Sequence, residues 1–399
     1  MPQSSIPDLG RAPNIHGVDP QSLVHHSSET KKHSALARIV DDTDSAAQSE
    51  RLRIIKYNSK LSSMAFPRLK ELNVGHSYDI RTSLELISRC PGLTTCHWDA
   101  GPSYKPLAPA LVQRITSKTW PNLHSFHAQL PLVSEDDLVS ILSGMQQIAR
   151  LDVRCSSAIK PRTMDLLQQH FSTLTVLTLR LNNESTSSPL AQEILSSCHL
   201  LEHLSVSRID ATVVAEGKLW VCSKLKVLVL HFEFDPLTIS DIQPRVFEQI
   251  ARLYRLDSLT LWGSTTGYGR RWECFQKTVD LRLENGLGKL STLRSLRDFR
   301  FTYSRQRMGE KEIEWILEHW KSLEEIYGKF NMMKPWVESV DIQPRVFERI
   351  SRHHRLEHLK LWDRKANVNR KVARFQTTVD LRLENGLAKL STLRTPLRD

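Results

Sequence analysis

Glycine is scarce in this chain, at 15 of 399 residues, and no glycine run of the P-loop or dinucleotide type occurs. Phosphate-cradling chemistry is therefore excluded. The six cysteines, Cys90, Cys96, Cys155, Cys198, Cys222 and Cys274, form no C-x-x-C pair, and no H-E-x-x-H is present, so zinc has no ligand frame. They read as reduced core residues, standing where a small apolar side chain would serve. Long apolar runs are absent too: stretches such as LKVLVLHF at 225–232 fall far short of a bilayer span. The N-terminus lacks the apolar core of a secretory signal, so the expected location is the cytosol or nucleus, without membrane contact. His124 and His127 are three apart, but strand alternation sends them to different faces, which removes a metal reading. Nothing in the spacing of Ser, His and Asp isolates a triad. No catalytic residue, cofactor or metal is implied, and the chain reads as not an enzyme.

What remains is an ordinary globular composition, 40% apolar and 25% charged, with a net charge of +11 and pI about 9.4. The positive balance favours acidic partners without marking a site. Residues 1–50 mix Ser, Asp, His, Pro and Gln with few large apolar side chains, which predicts a disordered tail. Over 51–66, Leu52, Ile55 and Leu61 with Arg51, Arg53, Lys56 and Lys60 suggest a short helix that caps the folded region beginning at residue 67.

From residue 67 one pattern recurs. Leu174, Leu177 and Leu179 fall in the spacing L-x-x-L-x-L, and so do Leu69/Leu72/Val74, Leu93/Cys96/Trp98, Leu123/Phe126/Ala128, Ile148/Leu151/Val153, Leu201/Leu204/Val206, Leu225/Leu228/Leu230, Leu256/Leu259/Leu261, Leu296/Phe299/Phe301, Leu323/Ile326 and Leu356/Leu359/Leu361. The step is mostly 24 to 31 residues. A short apolar strand at that period marks a solenoid, whose units cannot bury their apolar faces alone. Between strands the period changes to that of a helix: Ser134 and three acids open one with Leu138, Ile141, Leu142, Met145 and Ile148 inward, Ser188-Pro189 opens another, and a third runs through Ile313, Ile316, Leu317 and Trp320. The predicted fold is an α/β leucine-rich-repeat horseshoe of about 13 strands, parallel strands on the concave side and helices on the convex side.

The step from Leu256 to Leu296 is too long for one unit, so Thr278, Leu281 and Leu283 are predicted to supply a strand, then a short helix from Leu287 to Leu293; a helix through Val279, Leu283, Leu287 and Leu290 competes. A second repeat lies over the first. Residues 241–294 and 341–394 align without gaps with 34 identities in 54 positions, so 241–299 reads as duplicated in 341–399, and TVDLRLENGL stands at both 278 and 378. The second copy has His353 and His354 for Leu253 and Tyr254, and its end is expected to be poorly capped. The basic run RKANVNRKVAR at 364–374 lacks interleaved aromatics and reads as a solvated loop, which makes nucleic-acid binding the weakest reading.

The segments RCPGL at 89–93, TWPNL at 119–123, SCHLL at 197–201, VCSKL at 221–225 and HWKSL at 319–323, with VDLRLENGLGKLSTLRSLRDFRF at 279–301, resemble the C-terminal repeats of fungal F-box proteins. The repeats are similar in style to the ribonuclease-inhibitor and cysteine-containing leucine-rich repeats. The resemblance covers residues 67–399 and implies a substrate-recruiting surface; in that family an N-terminal F-box holds a ubiquitin-ligase core. This sequence has no Leu-Pro start with three short apolar helices before residue 67, and so departs from the family there.

In L-x-x-L-x-L the residue between the last two apolar positions points away from the core, which projects Asn73, His97, His127, Asp152, Thr178, Ser205, Val229, Thr260, Arg300, Tyr327 and Lys360 into the groove. The residue after the last apolar position adds Arg154, Arg180, His231, Trp262, Lys329 and Trp362, although both tryptophans also fit packing beneath a turn. The expected partner is another protein, an acidic one being favoured by the charge, bound on this face. A regulator or inhibitor of an enzyme such as a nuclease or GTPase is the alternative.

Overall fold

In a computed structural model of the protein, the residues described are 51–54, 66–75, 80–99, 106–157, 159–181, 188–235, 237–262, 279–306, 308, 310–330, 358–363, 378–384 and 387–388. The chain divides into units 1–36 and 37–399, and every described residue belongs to the second. The strands are β1 (Arg51–Ile54), β2 (Glu71–Val74), β3 (Thr95–Trp98), β4 (Ser125–Val133), β5 (Arg150–Cys155), β6 (Val176–Leu181), β7 (His203–Asp210), β8 (Val227–Glu233), β9 (Ser258–Trp262), β10 (Asp298–Gln306), β11 (Glu325–Phe330), β12 (His358–Asp363), β13 (Thr378–Glu384) and β14 (Leu387–Ala388). Helices alternate with them: α1 (Ile80–Ile87), α2 (Pro109–Thr116), α3 (Glu135–Gly144), α4 (Pro161–Gln168), α5 (Ser188–Ser197), α6 (Ala211–Glu216), α7 (Ile239–Ala251) and α8 (Glu310–His319).

All fourteen strands form one open sheet in sequence order, parallel from β1 to β12. Strict order, with a helix between successive strands from β2 to β9 and between β10 and β11, is the α/β repeat solenoid expected from the period. One apolar cluster runs from Leu69 to Ile326, and the apolar positions of the repeats over that range lie in it: Leu174 and Leu177 are fully buried and Leu179 nearly so. The helices cover one face of the sheet with their apolar stripes, as Leu138, Ile141 and Leu142 of α3 illustrate. α3 starts where Ser134 caps it, its hydroxyl accepting from the Asp137 amide at 3.1 Å, with Glu135, Asp136 and Asp137 at the positive end of the helix. Five of the cysteines are described, and all five are free and buried, with burial pushing the Cys90, Cys155 and Cys222 thiols up to about 12.

Helix-borne side chains tie each repeat to the next. Glu135, at the start of α3, accepts from the Lys160 amide at 3.1 Å and from the Thr163 hydroxyl at the start of α4. Gln192 of α5 accepts from the Trp220 indole at 3.1 Å, and Gln249 of α7 accepts from the Trp220 amide at 3.1 Å. Gln243, fully buried in α7, donates to the carbonyls of Asp280 at 2.6 Å and Asn285 at 2.7 Å and accepts from the Asp280 amide at 2.8 Å.

Three expectations are corrected. Residues Arg51–Ile54 are not helical: they pair in parallel with β2, whose otherwise unpaired backbone edge offers the ladder hydrogen bonds a strand can satisfy. The segment before Asn285 is not a strand either. There β9 pairs directly with β10, so no edge is left for it, and the Gln243 amide takes the Asp280 backbone groups that a ladder would need. Short 3-10 turns form instead at Leu283–Asn285 and Leu287–Thr292, joined by Gly286 at φ +95°, where a Cβ would lie 3.0 Å from Pro244 Cα. In the second copy the same residues Thr378–Glu384 form a strand, but antiparallel to β12 where the horseshoe predicted a parallel one, with β14 antiparallel beyond it. The expected tail at 1–50 and the loop at 364–374 lie outside the described residues.

Two stability measurements check this layout. Leu177→Ala should cost about 2–5 kcal/mol by lost burial and cavity formation. Thr178→Ala should cost about 1 kcal/mol, because Thr178 proves to be 5% exposed, hemmed in by its sheet neighbours although it points away from the helices. Equal shifts in urea midpoint would refute the register. Gln243→Ala should speed amide exchange across 279–287 by leaving backbone groups unpaired; unchanged protection there would show that the clamp is dispensable.

Candidate functional site

The face turned away from the helices carries the predicted row in a single register. Asn73 pairs with His97, His97 with His127, His127 with Asp152, Asp152 with Thr178, Thr178 with Ser205, Ser205 with Val229, Val229 with Thr260, Thr260 with Arg300, Arg300 with Tyr327, and Tyr327 with Lys360. The next position outward aligns Arg154 with Arg180 and His231 with Trp262. In-register parallel pairing puts these Cα atoms about 4.8 Å apart, so the row is continuous.

The members differ in access. Arg180 and Arg300 are exposed and Trp262 is 44% exposed, which settles the choice for this tryptophan against burial beneath a turn. Asn73, His97, His127, Asp152, Arg154, Ser205, Val229 and Tyr327 are half-buried. Thr178, Thr260 and His231 are buried, a correction to their expected projection into solvent: on interior strands a side chain has register neighbours on both sides that shield it. Lys329 lies on β11, and Lys360 and Trp362 on β12, with their side chains outside the described residues. Arg300 is bridged to Asp298 at 2.8 Å and Glu325 at 3.0 Å, an exposed network that fixes its direction.

The densest chemistry lies over β2 to β6. Asp152 receives His127 Nδ1 at 3.0 Å and donation from the Gln129 amide at 2.7 Å. His127 Nε2 lies 3.9 Å from Asp99, the His97 ring is 5.0 Å from the His127 ring between centroids, and His97 Nε2 is 3.9 Å from Glu71. Asp99 and Asp152 each keep one buried carboxylate oxygen with no hydrogen-bond partner. Burial works to lower the His127 pKa, but the hydrogen bond to Asp152 and the charges of Asp152 and Asp99 outweigh it, with Arg180 opposing, so His127 stands above the usual imidazole range. For Asp152 burial is likewise outweighed, by the bonds from His127 and Gln129 and by the His127 and Arg180 charges, and its carboxyl is held low. His97 is pushed down, first by burial and then by the His127 charge. His203 on β7 is also lowered by burial.

Glu71, Asp99, Gln129 and His203 were missed by the sequence reading. Asp99 and Gln129 follow the last apolar position of their strands, the same offset that picked out Arg154 and Arg180, and Glu71 and His203 precede the second apolar position. The signal was present. Among the described residues no group of three or more His, Cys, Asp or Glu side chains could hold a metal, and no helix is long and apolar enough to cross a membrane.

No protein-family model matches the sequence, and no curated protein sequence matches it. Among solved structures, an internalin from Listeria monocytogenes is 12% identical at a TM-score of 0.34, covering 65% of this chain and 61% of its own. TLR13 in its complex with ssRNA13 is 14% identical at a TM-score of 0.40, covering 76% of this chain and 40% of its own. The chain thus spans less than two thirds of either, and the fold rests on its own sheet and core rather than on these likenesses.

The His127–Asp152 pair should mark the pH profile. The raised His127 pKa adds stability that is complete below the unfolded imidazole value of about 6.5 and is lost as pH rises through the folded value. The lowered Asp152 pKa adds stability above the unfolded carboxyl value of about 3.9 that is lost as pH falls through the folded value. The pair therefore contributes in full between the two unfolded values, about 3.9 and 6.5. Asp152→Asn should bring the His127 titration, followed by NMR of the imidazole, below its wild-type position; an unmoved titration would show that the contact does not form in solution.

Proposed function

We propose that this chain is a non-enzymatic scaffold that binds another protein across the open face of its sheet. The observation that carries the reading is the unbroken register row from Asn73 to Lys360 on a face that none of the described helices covers, with Trp262 exposed beside it. Trp and Arg are the residue types that dominate interface energetics, and Arg154, Arg180 and Trp262 stand at the outer position of this face. A net charge of +11 favours an acidic partner. The finer reading is the substrate-recognition part of an F-box adaptor, supported by the sequence resemblance of the repeats.

Affinity purification of the full chain with mass spectrometry identifies partners, and direct titration then tests the face. Trp262→Ala combined with Arg180→Glu should weaken a genuine partner at least about tenfold without moving the melting temperature. Retention by that variant, with loss on changing exposed helix residues such as Arg162 and Glu318, would place binding on the other side. Recovery of the F-box receptor of a ubiquitin-ligase core would favour the finer reading; a partner set without it leaves a free-standing binder.

A further inference from the structure

We propose that binding on the open face is coupled to a proton at His127, so that the face takes a carboxylate-bearing protein segment more tightly as pH falls; this rests on the protein-binding reading above. The basis is a meeting of opposite charges within a few strands. Arg154 and Arg180 are register neighbours on β5 and β6, and Arg180 is exposed, giving a place where an incoming carboxylate can be held. Beside them lies the carboxylate cluster. Glu71 comes from β2, Asp99 from just after β3, and Asp152 from β5, and the groups facing His127 are His97, Asp99, Gln129, Asp152 and Arg180, with His203 further along near Asp152.

With both His97 and His127 neutral, a carboxylate approaching Arg180 meets the field of three acids, two of which keep a buried oxygen that no hydrogen bond satisfies. A proton on His127, held between Asp152 at 3.0 Å and Asp99 at 3.9 Å, offsets that field where it is strongest. The arriving negative charge in turn favours the proton. Linkage makes the two effects equal, so a partner that binds the protonated face better must raise the proton affinity of His127 by the same factor. His97 is the poorer candidate for the proton, because its closest acid, Glu71, lies 3.9 Å away against 3.0 Å from His127 to Asp152, and a charge on His127 opposes a second one beside it.

The test uses the full chain and a fluorescent peptide of alternating Asp and Ser, whose carboxylates stay ionised between about pH 5.5 and 8.5. Its affinity at constant ionic strength should rise on acidification by up to about tenfold per pH unit, the limit for one proton taken up. His127→Gln, which can still donate to Asp152, should flatten the profile, His97→Gln should leave most of it, and Arg180→Ala should weaken binding at every pH. Calorimetry of the unmodified protein in buffers of different ionisation heat should find close to one proton taken up, a readout that does not depend on any variant folding. Arg180-dependent binding with zero proton uptake, or with a slope that His127→Gln leaves intact, overturns the coupling and spares the protein-binding reading. Absence of Arg180-dependent binding of this probe at every pH overturns the proposal and removes the acidic-partner reading with it.

Discussion

The parallel ladder that joins each strand to the next is the constraint on which everything else depends. Adjacent strands sit about 4.8 Å apart, and a single strand-helix unit has no second layer to bury its Leu positions against except its own helix and its neighbours. Leu72, Leu177, Leu204, Leu228 and Leu259 are all at 0% exposure because each stacks beneath the equivalent residue on either side. Register is inherited from this stack: shifting one strand by a single residue would move its whole apolar set to the open face. The polar row on that face is therefore a by-product of core packing, its order set by the stack and not by contacts within the row such as His127–Asp152.

Burying polar groups between helices would work against such a stack unless each is paired, and the chain meets that condition with side chains that reach into an adjacent repeat. Glu135, Gln192 and Gln243 satisfy backbone or indole groups of the following unit, and Gln249 reaches back to the Trp220 amide of the preceding one. They make neighbouring units agree in position along the helix layer as the ladder does in the sheet layer. The same device explains why one decapeptide takes two forms. At 279–287 the buried Gln243 amide and the close approach of Gly286 to Pro244 bind it into turns, while β9 and β10 leave it no edge; at 378–384 the edge of β12 lies open and the chain pairs there. Sheet context and tertiary hydrogen bonds decide the outcome where local propensity is identical.

This bears on what could be read from the sequence. The repeat register was legible because it rests on burial at fixed spacing, and the pairing from Asn73 through Lys360 follows it strand by strand. The turns at 283–292 were not, since L-x-x-L-like spacing also fits a strand and nothing in 278–287 names Gln243 as its partner. Access on the open face was only half legible. Alternation says which way Thr178 and Thr260 point, but not that register neighbours on both sides shield them. The His127–Asp152–Gln129 contacts were beyond reach because they join three chain positions with no fixed sequence spacing.

The missing third apolar residue at Leu323/Ile326 shows how far neighbours can compensate. Gly328 takes that place, and a Cβ there would meet the Phe301 ring at 2.1 Å. Phe301, its register partner on β10, is fully buried and fills the volume that a leucine would occupy. A repeat that looks degenerate alone is complete as half of a pair, so the unit of selection for packing in this chain is two adjacent repeats. The outer positions are looser: Arg180 and Trp262 are exposed, so their volumes are not fixed by the interior as that of Gly328 is. The stack constrains its own interior and leaves room for different chemistry along the open face, the carboxylate-imidazole cluster over β2 to β6 and the Arg300 network over β10 and β11.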